Sequence, residues 1–288
     1  MLLPFRALQV NDIRRAIVEL KWGAKSLFSL YVSVVSGVVL SLQYDPASPF
    51  FSASTLEVLV PFGRFWRACH FYSSQLFFLF LLLHAVVVIS EKSDRQLKTG
   101  QWLLLVGSLP VSLLLLFTGY VLRADATGEA AGTIAEHITL SIPLVGNPLN
   151  SLLFAIEAEG MKRVYANHLI GLCVVWGVCC WDHLRRYRIV ARQYGLLLAL
   201  ILVFSLFVPA PMDLARLGVF DIKGPWFFLG LQELLRYIQP FWAGVVIPAT
   251  VVIALSFLAN NEWRKKALLF IGCWLGCYLI LTVIAALR

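Results

Sequence analysis

Seven stretches of the chain are apolar over roughly the 20 residues that a helix needs to cross a bilayer, and this feature fixes the fold class before any other. They cover about 26–44, 73–90, 101–122, 166–183, 193–208, 241–259 and 266–287. Backbone inside hydrocarbon has to satisfy its own hydrogen bonds, so segments of this length read as helices. The expectation is an all-α, polytopic membrane protein with about seven transmembrane helices. Composition agrees: 60% of the 288 residues are hydrophobic and only 14% are charged, too few to clothe a soluble domain of that size.

The net charge of +8 would suit a nucleic-acid binder if it were clustered on one soluble face, but it is not. With the N-terminus inside, 15 of the 24 basic residues fall on the inner side, in the N-terminal segment and in the short connections Lys92–Lys98, Arg185–Arg192 and Arg264–Lys266. Basic inner loops are what the insertion rule expects, so the charge reports orientation and implies no nucleic-acid partner. The expected location is a bacterial cytoplasmic membrane, crossed several times, with the N-terminus cytoplasmic. The long connections 45–72, 123–165 and 209–240 are then outside, where partner-facing work would be done. Residues 1–21 alternate apolar Phe5, Leu8, Ile13 and Ile17 with Arg6, Arg14 and Arg15. That pattern suits a helix lying on the inner membrane surface, with a partner-binding helix as its rival. The aromatic, amphipathic segment 225–238 belongs at the outer interface. Five of the six cysteines lie inside apolar spans and none forms a Cys-x-x-Cys-His motif, so they read as small hydrophobes.

Histidine is costly in a span and marks function there by default. His70 and His84 flank the second span, and His168 and His183 flank the fourth. Their spacings of 14 and 15 residues keep each pair broadly on one helix face, about 21 and 22 Å apart along the axis. Two parallel helices facing each other would offer one histidine pair near each membrane surface: His70 with His168 outside, His84 with His183 inside. Imidazole on both axial positions of an iron porphyrin is an electron-transfer ligation. His137, in an outer loop, has no partner at its depth and reads as a loop histidine. The competing reading of the four is a transporter or structural subunit that uses them for protons or packing.

With these histidines in place, the sequence resembles the cytochrome b subunit of respiratory cytochrome bc and photosynthetic cytochrome b/f complexes, along nearly the whole chain. The 15-residue spacing in the fourth span looks like the photosynthetic branch. That family places glycines 14 apart in its first and third helices, where a side chain would collide with the porphyrin. Gly23 and Gly37, the latter ahead of Tyr44-Asp45-Pro46, match the first pair. Gly119, in Thr118-Gly119-Tyr120-Val121-Leu122, matches one member of the second, while Leu105 stands at its partner position. Arg67, three residues before His70, matches an arginine that pairs with a haem propionate. Its inner counterpart is Val87, which leaves Arg185 or Arg186 for that task. Ile142-Pro143-Leu144-Val145-Gly146 is similar to the short loop helices over the family's outer quinol site.

The resemblance implies two b haems, a quinone or quinol substrate, and membership of a multi-subunit quinol:electron-acceptor oxidoreductase, with a dimer as one arrangement. It divides the chain into a four-helix di-haem bundle over 1–190 and a three-helix quinol-site part over 191–288. Its partners would be the bilayer, the quinone pool and either a Rieske iron–sulfur protein or a c-type, multihaem cytochrome. Three departures stand out. Pro225, in Lys223-Gly224-Pro225-Trp226-Phe227, replaces a proton-accepting glutamate, and Glu233 is the candidate substitute. Lys21 stands where the photosynthetic branch has the cysteine for a third, covalent haem. After the fourth span the respiratory inner quinone-site residues have no match beyond Asp182.

Overall fold

The computed structural model describes residues 18–213 and 222–288. The surface helix expected over 1–21 therefore lies almost wholly outside the described residues, which are helical with no β-strand among them. Six helices are long and apolar enough to cross a bilayer: α1 (Trp22–Ser41), α3 (Gly63–Ser90), α4 (Thr99–Val121), α7 (Lys162–Leu184), α10 (Trp242–Ala259) and α11 (Arg264–Leu287). The seventh expected span is the shorter apolar helix α8, Ala191–Phe207. It begins beside Arg192 and stops before Pro209 and Pro211, neither of which can extend a helical ladder. Three further helices lie in the connections: α2 (Pro49–Val58), α5 (Ala126–Leu140) and α6 (Gly146–Leu153). A short α9 (Leu229–Leu234) forms within the expected interfacial segment and packs on α11. All of these connecting helices gather at one end of the bundle, the loop-rich end; the opposite end carries the short basic turns.

Helix α1 lies along α3 because its inward face is small. Ser26, Ser29, Ser33 and Ser36 recur every three or four residues and are all buried. Small residues let helices approach where lipid offers no hydrophobic drive to association. Ser26 Oγ donates to the Phe77 carbonyl of α3 at 2.9 Å, and Ser36 Oγ to Val32 of its own helix at 2.8 Å. Helix α4 packs in the same way on α7, where Trp176 Nε1 donates to Ser112 Oγ at 2.9 Å. The outward faces are apolar and exposed, as on α11 at Leu275, Leu279, Ile280 and Val283, which suits contact with acyl chains.

The last helices are fastened to the first four at the basic end. Arg264, at the start of α11, is almost fully buried and pairs with buried Asp94 in the turn between α3 and α4. Its remaining donors reach the Leu258 carbonyl at 3.1 Å and the Ile89 carbonyl at 3.0 Å. Trp102 Nε1 adds a bond to the Leu255 carbonyl at 2.9 Å. Removing one partner of a buried ion pair leaves an uncompensated charge, at a cost of about 3–5 kcal/mol. Asp94→Ala should therefore lower the thermal midpoint of the detergent-solubilised protein sharply. The double substitution Asp94→Leu with Arg264→Met should recover most of the loss, and equal loss in both variants would show that the pairing itself is not what matters.

Candidate functional site

Helices α3 and α7 run parallel and set their histidines face to face. His70 opposes His168 with ring centroids 6.2 Å apart and planes inclined by 79°. His84 opposes His183 at 6.2 Å and 45°. Two imidazoles sharing one metal, each bound through a nitrogen at about 2.1 Å, bring their ring centres to about this separation. Among the described residues no group of three or more His, Cys, Asp or Glu converges, so a bare ion would lack its usual ligand set. A metal already held in a planar macrocycle needs only the two axial nitrogens, which is what each pair offers.

The unequal spacings of 14 and 15 residues have a structural answer. Residues Asn167–Gly171, around His168, form one π-helical turn within α7. A π turn takes an extra residue into the helix and recurs at functional sites. It absorbs the fifteenth residue, so both pairs end in register although a regular helix would have rotated them apart. Asn167 braces the turn, its Nδ2 donating to the Leu152 carbonyl at 2.7 Å and to Arg163 at 3.0 Å.

At the loop-rich end the rings are also oriented. His70 Nδ1 lies 2.8 Å from the Ser33 carbonyl. A carbonyl only accepts, so Nδ1 carries the proton and Nε2 keeps its lone pair for a metal. His168 Nδ1 lies 3.0 Å from the Thr118 hydroxyl. Sequence reading missed both partners. Ser33 lies one helical turn before Gly37 and Thr118 directly before Gly119, yet nothing in composition marks them.

The three glycines back directly onto the histidines. A Cβ on Gly37 would stand 2.9 Å from the His70 ring, one on Gly23 3.0 Å from His84, and one on Gly119 3.0 Å from His168. A side chain at any of these three glycines would thus push the ring of His70, His84 or His168 out of its present place. Gly107 meets nothing within 4 Å and plays no such part.

One cavity opens on both histidines of the loop-end pair, and a second reaches His183 of the other. The one at the loop-rich end has a volume of about 560 Å³ and is lined by His70, His168, Gly37, Gly119 and Arg67. It extends to Pro225, Trp226, Gln75, Tyr120 and Asp213. At the basic end a cavity of about 220 Å³ is lined by His183, Arg186, Tyr187, Gln101 and Leu105. The side chain of Leu105 therefore stands in the second cavity, where a glycine would have left room. Halfway between the pairs a layer closes the bundle. Phe77 is two turns from each histidine of α3, and its ring meets Trp176 edge-on at 5.8 Å. Leu30 packs on the same apolar cluster.

The charged candidates are placed differently. Arg67 is buried on the loop-end cavity wall, but its Nε donates to Glu57 at 2.8 Å and its Nη2 to the Ala210 carbonyl at 3.0 Å. Of the two inner arginines, Arg186 lines the basic-end cavity, whereas Arg185 pairs with Asp182 at 2.9 Å. Glu233 is not brought to either cavity. It is 1% exposed, accepts from Tyr237 at 2.7 Å and pairs with Arg288 at 3.2 Å. His137 lies exposed on α5. Tyr44, on the loop-end wall, donates to the Leu122 carbonyl at 2.7 Å. Burial, reinforced by Tyr165 and Asp45, pushes its phenol well above the ordinary pKa.

Comparison with known proteins agrees with this arrangement. A family model described as cytochrome b/b6/petB matches residues 13–187. Cytochrome b6 of Heliobacterium mobile is 29% identical over 158 residues, covering 53% of this chain and 74% of that protein. The menaquinol:cytochrome c reductase cytochrome b subunit of Bacillus subtilis (strain 168) is 27% identical over 52% of this chain and 70% of its own length. Cytochrome b of Schizosaccharomyces octosporus is 22% identical but reaches 96% of this chain and 85% of its own. A solved hyperthermophilic respiratory Complex III chain shares the fold, with a TM-score of 0.70 and 18% identity over 96% of this chain and 89% of that one. With the model spanning more than half of its residues, the chain belongs to the cytochrome b/b6 family.

Proposed function

We propose that this chain is the cytochrome b subunit of a membrane-bound, bc-type quinol oxidoreductase complex, and that it carries electrons across the bilayer through two b haems. One observation carries the reading: two histidine pairs at the same 6.2 Å ring separation, with a glycine standing against at least one ring of each. His70 and His168 would hold the haem at the loop-rich end, and His84 and His183 the one at the basic end. An iron porphyrin ligated by two imidazoles supplies one-electron transfer with no open position for oxygen.

The chain's own residues fix where such groups sit and what surrounds them. Ser33 and Thr118 orient the loop-end imidazoles so that Nε2 faces the cavity between them. Gly23, Gly37 and Gly119 leave space against the rings. Arg67 and Arg186 stand on the two cavity walls, each able to meet a propionate at the membrane edge. At the loop-rich end Arg67 would have to exchange Glu57 for that partner. The same cavity runs on to Trp226, whose Nε1 donates to Gln75 at 2.8 Å, and offers an apolar pocket suited to a quinol head. Residues 1–190 would form the di-haem unit and 191–288 the part that completes the quinol pocket. The short basic turns support a cytoplasmic basic end in a bacterial inner membrane.

A second reading concerns the partner. Pro225 lines the loop-end cavity, at the position where the resemblance to the cytochrome b family implies a glutamate. This favours a variant complex whose outer partner is a multihaem cytochrome c over one with a Rieske protein. Copurification in mild detergent separates the two: a multihaem cytochrome supports the variant, and a Rieske centre reduced rapidly by quinol rules it out.

The purified protein should be red, reducible by dithionite and loaded with two haem b per chain. A colourless preparation would return the histidines to a transporter's proton path. His183→Ala should remove one haem and spare the other, and retention of both would break the pairing. Gly37→Leu, which forces a side chain against His70, should lower haem content at the loop-rich end while leaving the basic-end haem in place.

A further inference from the structure

We infer that Asp213 is the carboxylate that takes the protons of quinol oxidation in this chain, an inference that rests on its reading as a quinol oxidoreductase subunit. Oxidising a quinol to a quinone breaks two O–H bonds. Two electrons pass to the one-electron metal centres of the complex, and two protons must go to a base within reach of the pocket. Glu233 cannot serve, since it is sealed away among Tyr237, Arg236 and Arg288. Pro225 has no proton-accepting group at all.

Among the described residues lining the loop-end cavity, Asp213 is the one carboxylate. It lines the same cavity as Pro225 and Trp226, the cavity into which the quinol head would enter. Its side chain is 51% exposed, so one group faces both the cavity and outside water. The carboxylate is also held in position. Thr127 donates its hydroxyl to Asp213 Oδ2 at 2.7 Å, and Arg123 Nη2 lies 3.4 Å away. The Asp213 backbone N–H donates to Asp125 at 2.9 Å, and Asp125 is itself fully buried and caps α5 through Gly128. Asp125 thus works as the anchor and Asp213 as the group left free to exchange protons. The other ionisable groups lining this cavity include Arg67, Arg123, Lys223, the two histidines, Tyr44, Tyr120 and Tyr165, of which Arg123 and Tyr120 interact with Asp213 directly. The carboxylate accepts the first quinol proton, releases it to the outer water, and in its restored ionised form accepts the second.

The test uses the intact complex and a soluble quinol analogue. Removing a positioned base typically costs 10²–10⁴-fold, so Asp213→Asn should lower kcat by about 10²-fold, with KM changed little and haem b content unaltered. The pH profile should lose the limb on which rate rises as a carboxylate ionises. Asp213→Glu should restore that limb and most of the rate. Thr127→Val, which loosens the carboxylate but keeps it, should lose only part of the rate and retain that limb. An Asp213→Asn complex with the parent's rate overturns the proposal, as does one whose pH profile keeps that limb. A parent complex that oxidises no quinol overturns the functional reading and this proposal with it.

Discussion

How close α1 can lie to α3 governs the construction of the four-helix half. Inside lipid, helices gain nothing from merely hiding apolar surface, so close approach has to come from small side chains and hydrogen bonds. The serine stripe of α1 supplies both, through the buried Ser26, Ser29, Ser33 and Ser36. Once α1 is seated, Gly23 and Gly37 fall against His84 and His70, and the Ser33 carbonyl fixes the tautomer of His70. Packing and ligand orientation are therefore one arrangement. A larger residue in the stripe would disturb the imidazoles before it disturbed the helix.

The same economy holds on the other side of the pair. Thr118 and Gly119 are sequence neighbours on α4, and both address His168, one by hydrogen bond and one by leaving space. The basic end is built with less care for an occupant. Its cavity is less than half the volume of the other and includes Leu105. The fastening to α10 and α11 through Arg264 and Trp102 is concentrated at that end. The protein is thus roomy and largely apolar-walled where substrate would enter, and tight where α10 and α11 meet the earlier spans.

Much of this was legible in the sequence because the features concerned are expensive. A histidine in a span, a run of 20 apolar residues or a glycine at a repeated interval is rarely neutral, and each declares itself one residue at a time. The spans, the histidine pairing and the glycine contacts all derive from such signals. What stayed hidden depends on departures from regularity or on distant partners. A π turn at Asn167–Gly171 is invisible to any reading that assumes 3.6 residues per turn, so the 15-residue spacing looked like a rotation. The grip of Glu57 and the Ala210 carbonyl on Arg67 joins segments far apart in the chain. Glu233 matched in chemistry but not in place, because two arginines and a tyrosine draw it into its own shell.

The layer of Leu30, Phe77, Ser112 and Trp176 has a consequence for energy conservation. The two cavities share no lining residue, and between them lie an aromatic pair and a few serine hydroxyls, Ser112 bonded to the indole and Ser26 to the Phe77 carbonyl. A file of water needs roughly two to four polar partners for each molecule, and this septum offers scattered hydroxyls, most of them already hydrogen-bonded within the protein. Electrons can cross such a barrier by tunnelling, whereas a hydrated proton has no chain to hop along. Charge can then be separated across the membrane without leaking back beside the path it took, as any protein that stores redox energy as a transmembrane gradient requires.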